Sequence, residues 1–204
     1  MTASVGKDMI KFVLKTVVLL LIAMLASCAN DIAGSGSEIV NGKLAAGTSG
    51  VLVEAVSTGY VKTMSGTEEI MTTFTDNNGA FSLALDTGCY NLVIRDTLKG
   101  VGVFIPEVRR GDELGIIGLS ELGSIEVTVE STKGFEYLVF IIGTPFGVIA
   151  NTGEVSLIDN VPPGSYVSSF ISLTRPSPGG VPTEPYNIEL ELKPSDRFHL
   201  QFTD

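Results

Sequence analysis

From residue 38 to the end of the chain, apolar side chains recur at every second position. Ile125, Val127 and Val129 alternate with Glu126, Thr128 and Glu130, and Ile188, Leu190 and Leu192 alternate with Glu189 and Glu191. Successive side chains of a strand point to opposite faces, so a period of two with one apolar face predicts half-buried β-strands. No stretch of 11 or more residues after Cys28 carries convincing helical spacing. Taking the Gly, Pro, Asn and Asp clusters as turns predicts strands at 38–44, 50–57, 70–76, 80–85, 89–96, 100–108 and 113–119. A second group follows at 123–130, 136–143, 147–151, 154–159, 165–173, 186–192 and 197–203. Seven short strands in about 80 residues is the size of a small β-sandwich, and the pattern predicts two of them.

The middle of each group carries the same phrase. Asp76–Ile94 reads DNNGAFSLALDTGCYNLVI and Asn151–Ile171 reads NTGEVSLIDNVPPGSYVSSFI. In each, an Asn- and Gly-bearing turn precedes an alternating run, and a second turn ends in Gly-x-Tyr. Asn78-Gly79 suits the positive φ of a tight hairpin turn and predicts a two-residue connection between the flanking strands. Tyr90 and Tyr166 can bury a ring while the hydroxyl finds a partner near the edge.

Thr75-Asp-Asn-Asn-Gly-Ala-Phe81 with Asp86-Thr-Gly-Cys-Tyr90 resembles the T-D-x-x-G-x-F and P-x-G-x-Y pattern of carboxypeptidase regulatory-like domains, prealbumin-like sandwiches common in envelope proteins. Asn151-Thr-Gly153, Val155 and Val161-Pro-Pro-Gly-Ser-Tyr166 match it again in the second half, with Val155 in the aromatic position; the first half lacks the prolines. The resemblance implies an all-β chain of two tandem small antiparallel β-sandwiches, prealbumin- or Ig-like, at 38–119 and 120–204. It also implies that Tyr90 points inward, turning Cys89 and Asn91 to the other face.

Ahead of the strands, Lys7, Lys11 and Lys15 precede an apolar run, Thr16 to Ala26, and small residues follow it; Met9 is an alternative start. That is the build of a signal peptide, and the run is too short for a stable span, which takes about 20 apolar residues. Leu25-Ala26-Ser27-Cys28 resembles the lipobox of bacterial lipoproteins. The resemblance implies cleavage between Ser27 and Cys28, a signal peptide at 1–27 and acyl chains on Cys28 as the membrane contact; the Gly- and Ser-bearing composition of Ala29 to Ser37 predicts a flexible tether at 28–37. Because Ala29 and not Asp follows the cysteine, resemblance to the sorting rules of two-membrane bacteria favours the outer membrane. The expected location is the cell envelope, lipid-anchored and extracytoplasmic.

Charge narrows the partners. The whole chain carries a formal net charge of -10; removing a leader with three Lys and one Asp leaves -12. Phosphate backbones are held by Lys and Arg, so nucleic acid is not an expected partner. With Cys28 acylated, Cys89 would be left as a half-buried, inert free thiol. His199 is the one histidine and falls on the solvent side of the last strand, between Phe198 and Leu200. No cofactor, metal site or catalytic residue is expected, since a nucleophile needs a base and an orienting group within reach. Asp76-Asn-Asn-Gly79 is expected to be a turn and not a calcium loop, because Phe81, Leu83 and Leu85 continue as a strand where further ligands would be needed.

Two long loops remain as contact surfaces, 57–69 with Tyr60, Lys62 and Met64, and 174–185 with Arg175. The expectation is a non-catalytic, lipid-anchored envelope protein, displaying its sandwiches to a protein or glycan partner or serving as a spacer. The alternative is a small extracytoplasmic hydrolase, or an accessory subunit of a carbohydrate-active or peptidase system.

Overall fold

The computed structural model describes residues 39–61, 70–132, 136–173 and 185–203. Among them the strands are β1 (Ile39–Leu44), β2 (Leu52–Ser57), β3 (Met71–Phe74), β4 (Ala80–Ala84), β5 (Cys89–Asp96), β6 (Val101–Arg109), β7 (Glu113–Ile117) and β8 (Ser120–Glu121). They continue with β9 (Gly123–Glu130), β10 (Glu136–Ile141), β11 (Gly147–Asn151), β12 (Val155–Val161), β13 (Gly164–Ser172), β14 (Tyr186–Leu192) and β15 (Arg197–Thr203). The described residues contain no helix.

Sheet order shows the duplication directly. The first half forms a sheet β4-β1-β7 and a sheet β3-β2-β5-β6-β8; the second forms β12-β9-β15 and β11-β10-β13-β14. Adding eight to each strand number of the first half reproduces the second, with β8 as the extra strand, paired to β6 at Val101 and Gly102. The chain is therefore two tandem β-sandwiches of one topology. One feature departs from the purely antiparallel expectation. The first and last strands of each sandwich pair in parallel, β1 with β7 and β9 with β15. Parallel pairing needs a long crossover connection, and here the remaining strands of each sandwich supply it.

Alternation explains the cores. Val40 and Leu44 of β1, Phe81 and Leu83 of β4, Val53 and Ala55 of β2, and Leu92 and Ile94 of β5 meet in the first. Ile125, Val127 and Val129 of β9 meet Val139 and Ile141 of β10 and Leu190 and Leu192 of β14 in the second. Each such Val, Leu, Ile or Phe side chain stabilises the fold by roughly 1.5–3 kcal/mol when fully buried.

The turn at Asp76–Gly79 is tight but does not close a hairpin. β3 and β4, on its two sides, belong to opposite sheets of the first sandwich. The Asp76 N–H donates to Ala80 O at 2.8 Å, and Asp76 Oδ1 accepts from the N–H groups of Asn78 and Ala80, both at 2.8 Å. Gly79 has φ 76°, and a Cβ there would lie 2.8 Å from Gly47 Cα. The glycine is thus required twice, by conformation and by the close approach of a neighbouring loop. The same corner recurs at Asn151–Gly153, between β11 and β12 on opposite sheets of the second sandwich.

Candidate functional site

β5 is buried on both faces. Leu92 and Ile94 point into the first core, whereas Val93 belongs to the second. The outer face of the five-stranded sheet is covered by one end of the second sandwich, and the contacts there are specific. The Asn91 amide donates to Gly143 O at 2.9 Å, and the Gly143 N–H donates to Tyr60 O at 2.9 Å. Phe104 of β6 packs on Tyr166 of β13 with ring centroids 4.8 Å apart. Arg95 forms an ion pair with buried Glu54, and its guanidinium carbon sits 4.8 Å from the Phe146 ring centroid. Thr144 shapes the turn that carries Gly143 and Phe146: its hydroxyl donates to Ile141 O and accepts from the Phe146 N–H.

The bulge in β6 is part of this joint. Tyr90 is opposite Val108 and Leu92 is opposite Ile105, so Asn91 alone faces Pro106 and Glu107. Proline has no N–H for the ladder, which makes a bulge its place in an interior strand. Asn91 Oδ1 accepts from the Glu107 N–H at 3.2 Å, so the residue that reaches the second sandwich also holds the bulge. Glu107 takes φ 57°, a conformation non-glycine residues seldom adopt.

Beside the joint lies a cleft of about 620 Å³. Its apolar lining includes Phe104, Ile142, Tyr166 and Leu190, and its carboxylates are Glu107 from the first sandwich and Glu189 and Glu191 from the second. Glu189 and Glu191 stand opposite Val167 and Ser165 on the outer face of the β13–β14 pair. All three carboxylates are exposed, and none has a cationic partner among the described residues. Tyr166, buried in the second core, donates its hydroxyl to Pro162 O at 2.6 Å, and burial raises its pKa well above the usual 10.0. Such a surface can pair with cations and cover apolar groups. Among the described residues no group of three or more His, Cys, Asp and Glu is placed to hold a metal ion.

Several expected positions change meaning in three dimensions. Tyr60, expected as an exposed loop residue, is half-buried, and its carbonyl is part of the joint. Lys62, Met64 and Arg175 lie outside the described residues, as do Ser27 and Cys28. Among the described residues no helix is long and apolar enough to cross a membrane. Cys89 is disulfide-bonded and is not the free thiol expected. Asn91 does sit on the face opposite Tyr90, but that face is buried under the second sandwich. His199 is exposed, 3.6 Å from Glu126. The expected Asp76 turn is present. Glu107 and Asn91 were not among the expected site residues, although Pro106 inside a strand is a signal for a bulge.

No protein-family model matches the chain, and no curated protein matches it at a significant level. Among solved structures it is similar to the minor pilin of Streptococcus agalactiae, with 9% identity, TM-score 0.36, and coverage of 82% of this chain and 95% of that one. It is also similar to a streptococcal ancillary pilin, at 15% identity and TM-score 0.31, covering 84% of this chain and 63% of that one. A third is the Bacillus anthracis TIE protein, at 14% identity and TM-score 0.30, covering 81% of this chain; the chain spans 33% of that protein's length. The fold assignment rests on the strand order of this chain itself.

Proposed function

We propose that the chain is a non-catalytic, lipid-anchored envelope protein whose two sandwiches, at 38–119 and 120–204, form a stiff scaffold that presents a binding surface outward from the outer membrane. The observation that carries this reading is the joint. A flexible spacer has no use for Val93 inside the neighbouring core, or for a buried amide and an arginine–aromatic contact across the boundary. Such contacts hold one sandwich at a set angle to the other, as display at a distance from a membrane requires.

The anchor follows from Leu25-Ala26-Ser27-Cys28. A single acyl chain binds a membrane only marginally, whereas two or more give lasting attachment. The chemistry of Cys28 is a sharp test, because the sequence holds two cysteines and Cys89 is disulfide-bonded: an acylated Cys28 requires that Cys89 pair with a cysteine outside this chain. Acylation of the Cys28 sulfur and a bridge between the two cysteines of one chain exclude each other. Intact-mass analysis of the membrane fraction, with and without reductant, is expected to show acyl mass on a chain beginning at Cys28, and Cys28→Ala is expected to release the protein from the membrane. A mature chain that lacks acyl groups overturns the anchor. Small-angle scattering is expected to show one narrow distribution of distances between the two sandwiches, and a broad distribution overturns the stiff scaffold.

A further inference from the structure

The geometry points to the occupant of the cleft: we propose that it binds an extended peptide segment of a partner protein in which Lys or Arg alternates with apolar residues. Three features of the cleft select this chemistry together. The lining is partly apolar, with Phe104, Pro106, Ile142 and Val167, so it gains by covering hydrophobic side chains. The rim carries Glu107, Glu189 and Glu191, contributed by both sandwiches and lacking cationic partners among the described residues. Charge complementarity therefore calls for a cationic occupant. A volume of about 620 Å³ suits a few side chains and not a folded domain.

The spacing fits an extended segment. Glu189 and Glu191 are two residues apart on one strand face, and side chains at i and i+2 share a face in any strand. An extended peptide presents its own alternate side chains at the same interval, so two cations of its i and i+2 set face the two carboxylates. Glu107, from the other sandwich, adds a third negative charge to the lining and strengthens the preference for a cationic segment. Because Asn91 holds both the bulge and the joint, occupancy of the cleft and docking of the sandwiches stabilise one another.

This inference rests on the display reading but not on the anchor. The test titrates the full chain, purified in neutral detergent, with the peptide Lys-Leu-Lys-Leu-Lys in a calorimeter at roughly 0.1 M salt, where the screening length is about 10 Å. The counterpart Glu-Leu-Glu-Leu-Glu and a neutral oligosaccharide serve as comparison ligands. The lysine peptide is expected to bind and the other two are not. The combined change Glu107→Gln, Glu189→Gln and Glu191→Gln is expected to weaken binding by roughly threefold to a hundredfold, the range for three exposed ion pairs, and to flatten its salt dependence. Glu130→Gln, Glu136→Gln and Glu154→Gln, an equal charge change outside the cleft, is expected to leave the affinity within about twofold of the parent, since exposed charges beyond about 10 Å are largely screened at moderate salt. Absence of binding, binding that survives the cleft substitutions, equal loss in both triple variants, or preference for the oligosaccharide overturns the proposal. Loss of acylation in the mass analysis leaves the peptide result standing, so the two readings fail separately.

Discussion

Gly143 offers a direct measure of the joint. It has φ 69°, and a Cβ there would lie 2.5 Å from Asn91 Nδ2 and 2.9 Å from Thr58 O. Gly143→Ala therefore carries two costs. A non-glycine residue in the left-handed region costs roughly 1–2 kcal/mol. Displacing the Asn91 amide leaves the Gly143 carbonyl or the amide itself unsatisfied in a buried place, which costs about 1–3 kcal/mol more. Gly153 is the control, with φ 81° and nothing within 4 Å of an added Cβ. Gly153→Ala should show the conformational cost alone, roughly 1–2 kcal/mol. Denaturant unfolding of the parent and both variants measures the difference. The expected excess for Gly143→Ala is about 1–3 kcal/mol, and each kcal/mol lowers the melting midpoint by about 2–4 °C in a unit of this size. Scattering should also show the sandwiches loosened in Gly143→Ala and unchanged in Gly153→Ala. Equal destabilisation by the two substitutions would refute the argument, since the joint would then absorb the methyl group at no cost.

Tyr166→Phe removes the hydroxyl that satisfies Pro162 O and should cost about 1–3 kcal/mol at neutral pH. The pH dependence has a definite sign: burial raises the folded pKa above the unfolded 10.0, so the stability Tyr166 contributes is present below pH 10.0 and is lost as pH rises beyond it. Tyr166→Phe should flatten that alkaline loss in a denaturation series. Asp76 is held below its usual 3.8 by the Ala80 and then the Asn78 backbone N–H groups, so its contribution is present above pH 3.8 and is lost as pH falls through the lower folded value. Asp76→Asn should remove this acid slope. Millimolar calcium should leave the parent's melting midpoint where it is; a rise that Asp76→Ala abolishes would replace the turn with a metal site. Gly79→Val should lower the midpoint sharply, because the added side chain meets the Gly47 backbone as well as an unfavourable φ.

The strands were legible because their signals are local. Alternation at Ile125–Glu130 and Ile188–Leu192 reports one buried face, and the Gly-x-Tyr phrases report turns, so both groups of seven strands could be placed from composition and spacing. The duplication was legible for the same reason, as one turn vocabulary written twice. Histidine placement also followed, since Phe198, Leu200 and Phe202 fix which face of β15 turns inward and leave His199 outside.

What the sequence could not contain was the second burial of β5. Alternation distinguishes a face that meets apolar partners from one that meets water, but Asn91, Val93 and Arg95 read alike whether their face meets solvent or another sandwich. Only the docking of the second sandwich decides that Val93 joins its core, that Asn91 bonds Gly143, and that Arg95 lies over Phe146. The hairpin expected at Asn78-Gly79 failed on the same ground: a tight turn specifies its own dihedrals and not whether the next strand stays in the sheet or crosses to the other one. The cleft belongs wholly to this level. Glu107 and Glu191 are 84 positions apart in the chain, and their convergence depends on a bulge in one sandwich, which Pro106 signals locally, and on a joint to the other, which no local pattern of residues encodes.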